Sequence, residues 1–261
     1  MVNVTQPFIP PFGEVVTLDD YAPNFSGGRT QTDIRYETRQ LRQQLYTLQA
    51  KLYTQAQYAL LIILQGMDAS GKDSSINHLY RHGNPSKIRL ANFTFPTEEE
   101  QRYDFLWRIH KAVPPKGYVG IFNRSHYEDV VGARVRGMIM DYELQQRYDH
   151  INNFERMLID NGTVILKFYL HVSKEEQGNR LQGRAMNNRW KLTEADWESH
   201  VAWEEYTQAY TDMFTHCNTP EAPWYIVPAH YRWYRNWVLT KTIVQTLEDM
   251  PLDPVLDEID V

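Results

Sequence analysis

Gly66, Asp68, Gly71 and Lys72 lie within seven residues of one another, and their types and spacing are those of a turn that wraps an anion. The segment Leu64-Gln65-Gly66-Met67-Asp68-Ala69-Ser70-Gly71-Lys72-Asp73-Ser74-Ser75 carries G-x-x-x-x-G-K between an apolar run and a helix-compatible stretch. Gly66 and Gly71 permit backbone angles and a close approach that a β-carbon forbids. The main chain of Met67, Asp68, Ala69 and Ser70 can then turn its N–H groups onto a phosphate at the positive end of the following helix. Lys72 adds a mobile point charge for a β- or γ-phosphate. Asp73 stands where such loops usually carry a hydroxyl for Mg²⁺, and it reads equally as a metal contact or as a first-turn helix acid. The hydroxyls of Ser74 and Ser75 are alternative donors of that kind. A carboxylate among phosphates is repulsive unless a divalent cation stands between them, so Asp68 implies a metal at this loop.

A second cluster, Asn123-Arg124-Ser125-His126-Tyr127-Glu128-Asp129, follows the apolar run Tyr118 to Phe122. Arg124 is placed to neutralise a transferring phosphoryl group, and Glu128 or Asp129 to hold Mg²⁺ or its waters. His126 reads as a packing histidine. A third cluster, Asn179 to Lys191, carries Arg180, Arg184, Arg189 and Lys191. Arg180 and Arg184 are four apart and share a helical face. By themselves they would be a solvated basic face; beside a phosphate loop they read as a lid whose arginines close over the phosphates.

These clusters need a frame that brings them together. Ile34, Leu41, Leu45, Leu48 and Leu52 recur at helical spacing and predict an amphipathic helix over 31–55. Runs at 58–64, 89–95, 118–122, 163–172 and 224–227 predict five strands. Between them lie helical stretches at 72–82, from the Thr97/Glu100 capping box through Val113, through Leu144, Tyr148, Ile151 and Leu158 to the Asn161-Gly162 stop, and after Ser173. A longer helix is expected from Thr193/Asp196, and a last one over 232–247. Strands separated by helices cannot pair as hairpins, so the pattern predicts an α/β three-layer sandwich with a five-stranded parallel sheet. Ligands in that architecture bind at the carboxyl ends of the strands.

The chain has 261 residues, 42% of them hydrophobic, enough to bury a substantial core as a single domain. We expect that domain to span 1–261, with an extended arm over 1–30, a lid module over 174–200 and an acidic tail over 249–261. Lys+Arg number 27 against 33 Asp+Glu, giving a net charge of −6, which argues against general nucleic-acid binding. The single cysteine, Cys217, rules out an internal disulfide and a multi-cysteine metal site. Met1 to Asp20 lacks a signal-peptide pattern, and the longest purely apolar run, Ala59 to Leu64, is far short of the ~20 residues a membrane helix needs. A cytoplasmic protein without a membrane partner is expected.

The three clusters, in this order, resemble family-2 polyphosphate kinases, P-loop enzymes related to thymidylate kinase. The resemblance covers roughly residues 30–250 and includes FTFPTEEEQRYDFLW (93–107), PKGYVGIFNRSHYEDV (115–130), NGTVILKFYLHVSKEE (161–176) and TPEAPWYIVPA (219–229). The wording FNRSHYEDV is similar to the subclass called class III, which accepts both AMP and ADP. The resemblance implies a P-loop kinase fold with a helical lid, reversible phosphoryl transfer between inorganic polyphosphate and adenine or guanine nucleotides, Mg²⁺ or Mn²⁺, and a basic tunnel for the polymer. Carried over by position, Asp68 is the loop aspartate and Lys72 the phosphate lysine; Arg124 belongs to the second motif, and Arg184 and Lys191 to the lid. Where the family has an aspartate in the second motif, this chain has Asn123, a weaker ligand, so the second metal contact is assigned to Glu128 or Asp129. Between Arg184 and Trp190 the lid also lacks the proline expected there. Arg81, Lys87, Arg134 and Arg136 are candidate polymer contacts and equally candidate surface charges. A homo-oligomer, dimer or tetramer, is expected.

In the direct in-line mechanism this suggests, the acceptor phosphate is already ionised and needs no strong base. Asp68 positions metal and acceptor, while Lys72, Arg124 and Arg184 stabilise the transferring group. An ATP-dependent nucleoside or nucleotide kinase would use the same loop and sheet. A nucleotide-dependent binding switch fits less well, because a long arginine-bearing lid is present.

Overall fold

Leu60, Ile62 and Leu64 turn to one side of the central strand and Leu61 and Ile63 to the other, and all five are buried. A strand apolar on both faces has to be covered twice, and that requirement organises the whole molecule. The structure, a computed structural model, describes residues 8–187 and 194–252. Strands β1 (Ala59–Gln65), β2 (Ile88–Asn92), β3 (Val119–Asn123), β4 (Thr163–His171) and β5 (Trp224–Pro228) form one sheet in the order β2-β3-β1-β4-β5, every pair parallel. On one face lie α1 (Arg35–Gln55), α2 (Lys72–His82) and α9 (Arg232–Asp249), contributing Leu45, Leu52, Ile76, Leu79, Trp237 and Ile243 to that core. On the other lie α3 (Trp107–Ala112), α5 (Asp141–Asp160) and α8 (Trp203–Cys217), whose Ile109, Ile151, Leu158, Met213 and Phe214 pack over Leu61, Ile63 and Phe122. The expected three-layer α/β sandwich with five parallel strands is the fold observed.

The remaining helices serve the carboxyl edge of the sheet: α4 (Gly132–Val135), α6 (Lys174–Asn187) and α7 (Glu194–Val201). Residues 8–30 pack against the body: Phe8, Val16 and Leu18 are buried, Asn218 Nδ2 donates to Pro10 O at 2.9 Å, and His230 N donates to Pro23 O at 3.1 Å. Among the described residues no helix is long and apolar enough to cross a membrane.

Three elements differ from expectation. The capping box at Thr97 forms, with Thr97 N donating to Glu100 Oε2 at 2.7 Å and Glu100 N to Thr97 Oγ1 at 3.2 Å, but it starts only a 3₁₀ turn over Glu100–Arg102. Asp104 then offers its own carboxylate to Leu106 N at 3.0 Å and begins a separate helix, α3. A side chain that captures a nearby amide competes with helix continuation. The single long helix expected after 193 is two, α7 and α8, broken at Ala202; Thr193 lies outside the described residues. The second strand stops at Asn92, paired with Asn123 where β3 ends, so Phe93, Thr94 and Phe95 leave the sheet and enter the site.

Candidate active site

β1 carries the phosphate loop out of the middle of the sheet, and β3, its neighbour, delivers Arg124 beside it: Arg124 N donates to Leu64 O at 3.0 Å. The loop bends at Gly66 (φ 140°) and Gly71 (φ 109°), both positive-φ positions closed to side chains. A β-carbon at residue 66 would stand 2.8 Å from Leu170 O, so β4 leaves no room for one. Ala69 (φ 60°) and Arg124 (φ 61°) are also left-handed, a conformation that non-glycine residues hold only where their surroundings enforce it.

Asp68 and Arg124 meet across the loop mouth, Arg124 Nη2 donating to Asp68 Oδ1 at 2.5 Å. Arg124 Nη1 lies 4.0 Å from Glu128 Oε2, so one guanidinium spans two carboxylates. Burial works to raise the Asp68 pKa, but Lys72 and Arg124, with hydrogen bonds from Ser199 and Arg124, hold it below the usual carboxylate range. Burial raises that of Glu128 against the pull of Arg124 and Lys72. Lys72 is buried, and desolvation with Arg124 beside it lowers its pKa to about 8. Its ammonium donates to Gly66 O at 2.6 Å and Met67 O at 3.1 Å.

These groups open into a cleft of about 1110 Å³ whose lining includes Asp68, Lys72, Arg124, Arg136, Arg184 and Arg235. A smaller cavity of about 270 Å³ adjoins it, sharing Arg124 and Arg136 and walled by Phe95, Tyr103, Phe105 and Glu128.

The structure thus gathers Gly66, Asp68, Ala69, Ser70, Gly71, Lys72, Asp73, Ser74, Arg124, Arg136 and Arg184 at one end of the sheet, several of them already engaged. Asp73 Oδ1 accepts from Asn123 Nδ2 at 3.0 Å, and Asn123 Nδ2 donates also to Asn92 Oδ1 at 2.9 Å. Ser74 Oγ donates to Gly71 O and accepts from Arg235 Nη2 at 2.8 Å. Met67 faces the core with its side chain. Arg184 Nη1 of α6 lies 3.4 Å from Asp196 Oδ1 of α7.

Other expected residues stand elsewhere. Asp129 accepts from Arg108 Nη2 at 2.9 Å, lining the smaller cavity rather than the phosphate cleft. Arg134 is paired with Asp212 of α8, because the one turn of α4 points it at that helix. Lys87 Nζ sits 3.4 Å over the Tyr53 ring, and neither it nor Arg81 lines the cleft. Arg180 lines the cleft wall, but its donors go to main-chain carbonyls and to Glu176. Lys191 lies outside the described residues.

Sequence reasoning passed over Arg232 and Arg235, which α9 brings to the cleft from the far end of the chain. Arg235 is only 1% exposed, and burial, with Arg180 and Arg232 close by, lowers its pKa to about 9. One signal was available: a helix starting directly after the short strand ending at Pro228 places its first turn at the ligand-binding edge of the sheet.

Among the described residues no three His, Cys, Asp or Glu side chains converge as a metal cage. A Mg²⁺ ion carried on phosphates needs only one or two carboxylates, and Asp68, anionic at the loop mouth, has the chemistry for that. Glu128, linked to it through Arg124, is the next carboxylate to hand.

A parallel sheet that delivers a glycine-bounded phosphate loop and its lysine from the central strand, with arginines converging from neighbouring strand ends, defines a P-loop kinase-type α/β protein. Comparison with known proteins narrows this. Residues 29–253 match the family model for Polyphosphate kinase 2 (PPK2), and the chain belongs to that family. It is 47% identical over 214 residues to the AMP/ADP-polyphosphate phosphotransferase of Meiothermus ruber, covering 81% of this chain and 80% of that one. It is 35% identical over 245 residues to the ADP-polyphosphate phosphotransferase of Rhodopseudomonas palustris, covering 85% of each. The crystal structure of Polyphosphate Kinase 2 from Arthrobacter aurescens TC1 superimposes with a TM-score of 0.91 at 35% identity, covering 98% of this chain and 93% of that one.

Proposed function

We propose that the chain is a polyphosphate:nucleotide phosphotransferase that passes the terminal phosphoryl of inorganic polyphosphate reversibly to ADP, and also to AMP. The observation that carries this reading is the meeting of Asp68, Lys72 and Arg124 at the mouth of a long, arginine-lined cleft in a member of this family. A single nucleotide would not need 1110 Å³ of cleft edged by Arg136, Arg184, Arg232 and Arg235, whereas a nucleotide with a polyanion would. The adjoining cavity, with Phe95, Tyr103 and Phe105 on its walls, suits the acceptor's nucleoside.

An oxygen of the acceptor's terminal phosphate attacks the end phosphorus of the polymer in line. The bridging P–O bond breaks, and the polymer leaves one phosphate shorter. Lys72 and Arg124 hold the transferring group between them, and Arg184 joins them by exchanging Asp196 for phosphate. Asp68 keeps Arg124 in its left-handed position and would be the principal contact for Mg²⁺ or Mn²⁺, with Glu128 supporting it. The metal would neutralise phosphate charge and align donor with acceptor. Asn123 and Asp73 tie the ends of β2 and β3 to α2 and leave the metal to Asp68. We place the reaction in the cytoplasm and expect a dimer or tetramer.

The test is ATP formation from ADP with polyphosphate as the only donor, and ADP formation from AMP under the same conditions. Absence of both products overturns the reading. Phosphorylation of a nucleoside by ATP, without use of polyphosphate, would favour the kinase alternative.

A further inference from the structure

A phosphate loop works by turning its N–H groups inward, and each peptide that does so turns a carbonyl outward. Those carbonyls are buried against the protein and need donors of their own. In this chain every one from residue 66 to 71 has one. Gly66 O and Met67 O accept from Lys72, and Gly71 O accepts from Ser74 Oγ and Ser75 N. The middle three depend on residues far away in sequence. Asp68 O accepts from Gln177 Nε2 at 3.2 Å, Ala69 O from Arg180 Nη1 at 3.1 Å, and Ser70 O chiefly from Arg180 Nη1 at 3.0 Å, with a longer bond of 3.5 Å from Arg235 Nη1.

The two residues supplying those bonds are themselves fixed. Gln177 is fully buried on α6, and its Oε1 is 2.8 Å from His200 Nδ1 of α7. Arg180 uses all five donors: beyond the loop carbonyls it reaches Ala229 O at 2.7 Å, His230 O at 2.9 Å and Glu176 Oε1 at 2.7 Å. One guanidinium therefore staples the phosphate loop to the β5–α9 turn, and its direction is set by the acid one helical turn earlier. With its N–H groups so occupied, Arg180 has none left for a phosphate.

We propose that Gln177 and Arg180 are positioning residues for phosphoryl transfer, holding the outward carbonyls of the phosphate loop so that its amides stay aimed at the transferring group. The proposal rests on the function given above. It divides α6 in two: its first turns back the loop, and any lid movement involving Arg184 begins beyond Arg180.

The experiment compares Arg180→Lys, Arg180→Gln and Gln177→Met with the unaltered chain. Turnover of ADP with polyphosphate and the rise in Tm on adding tripolyphosphate are measured for each. A displacement of about 1 Å at a reacting centre costs about 100-fold in rate. Both Arg180 variants should lose about that much kcat, equally within threefold although one keeps its positive charge, and both should lose the tripolyphosphate-induced rise in Tm. Gln177→Met, which removes one carbonyl bond of the three and no charge, should lose about 10-fold.

A lysine variant that keeps near-normal kcat while the glutamine variant fails would mean direct charge contact and overturns the proposal. So does a lowered Tm with normal kcat, or a normal response to tripolyphosphate. If the Arg180 variants do not fold, Gln177→Met decides by the same two readouts. An unaltered chain that does not use polyphosphate refutes the functional reading instead, and the tripolyphosphate response still reports on the loop.

Discussion

Arg235 fills the space that a side chain at residue 71 would need: a β-carbon on Gly71 would lie 1.9 Å from Arg235 Nη1. The buried guanidinium lies under the phosphate loop, reaching Ser70 O at 3.5 Å and Ser74 Oγ at 2.8 Å, while φ of 109° at Gly71 carries the chain over it into α2. Gly71→Ala therefore meets a strained backbone and pushes the end of the Arg235 side chain away from Ser70 O and Ser74 Oγ. We expect a stability loss of at least about 1–3 kcal/mol and near-complete loss of turnover. Thermal melting and the polyphosphate-driven ATP assay measure the two effects; a variant with normal activity would show that Arg235 moves aside freely.

Asp68→Asn should abolish turnover and leave the fold in place. The substitution keeps the shape and removes the charge that Arg124 and Lys72 hold anionic. The expected fall in kcat is about 100-fold or more, with a lower Tm but a cooperative unfolding transition, because a carboxylate held below its usual pKa range contributes stability that the amide gives up. Activity within threefold of normal would remove Asp68 from the mechanism.

Lys72 predicts opposite pH trends for activity and stability. Its pKa is lowered in the folded chain from 10.5 to about 8, so between those values the unfolded chain binds the proton and the folded chain does not. The contribution of Lys72 to stability therefore rises with pH across that window and is least favourable below it, where the buried ammonium is charged. Activity needs that charge, so kcat/KM should fall as pH passes about 8. Bound phosphates raise the lysine's pKa, and the fall in kcat should come at higher pH. Profiles of both constants, with denaturant unfolding at pH 7, 8, 9 and 10, check this; a kcat/KM flat to pH 10 would exclude Lys72 as the titrating group.

Asn123→Asp sets a second acid against Asp73. The amide now donates to Asp73 and Asn92; a carboxylate would donate to neither and would repel the first. Without metal the variant should lose about 1 kcal/mol, and Mg²⁺ should restore more Tm to it than it adds to the unaltered chain. Equal responses to Mg²⁺ would show that no cation is drawn to that pair.

Below the site, Lys167 in the middle of β4 is fully buried, donating to Glu155 Oε2 at 2.7 Å, Tyr127 Oη at 2.9 Å and Cys217 O at 2.8 Å. Burial works to raise the Glu155 pKa, but Lys167 and His126 hold it below the usual range. Lys167→Met strands that carboxylate and loosens the turn carrying Glu128, so we expect about 3–5 kcal/mol of destabilisation. Glu155→Gln/Lys167→Met should recover part of it in chemical denaturation; a double variant no better than the single would place the loss in packing.

Local chemistry in the sequence was enough for the presence of five strands, for most of the helices and for the loop. An apolar run covered on both faces, then two glycines bracketing an acid and followed by a lysine, has few other uses, and alternation of strands with helices forces a parallel sheet. The Thr97 capping box formed as written and still did not make its helix, because the competing carboxylate of Asp104 was closer to the next amides. Charge pairing lay beyond the sequence. Arg134 and Asp129 were candidates for the site, and only the packing of α4 on α8 and the reach of Arg108 from α3 to Asp129 engage them elsewhere. Arg180 read as a lid arginine and turned out to tie down the loop; Arg235 read as nothing, yet stands beneath Ser74, 161 residues away. Periodicity and turn chemistry act over a few residues and are written in the chain. A guanidinium reaches whatever the order of the sheet sets beside it, and the folded protein alone fixes that order.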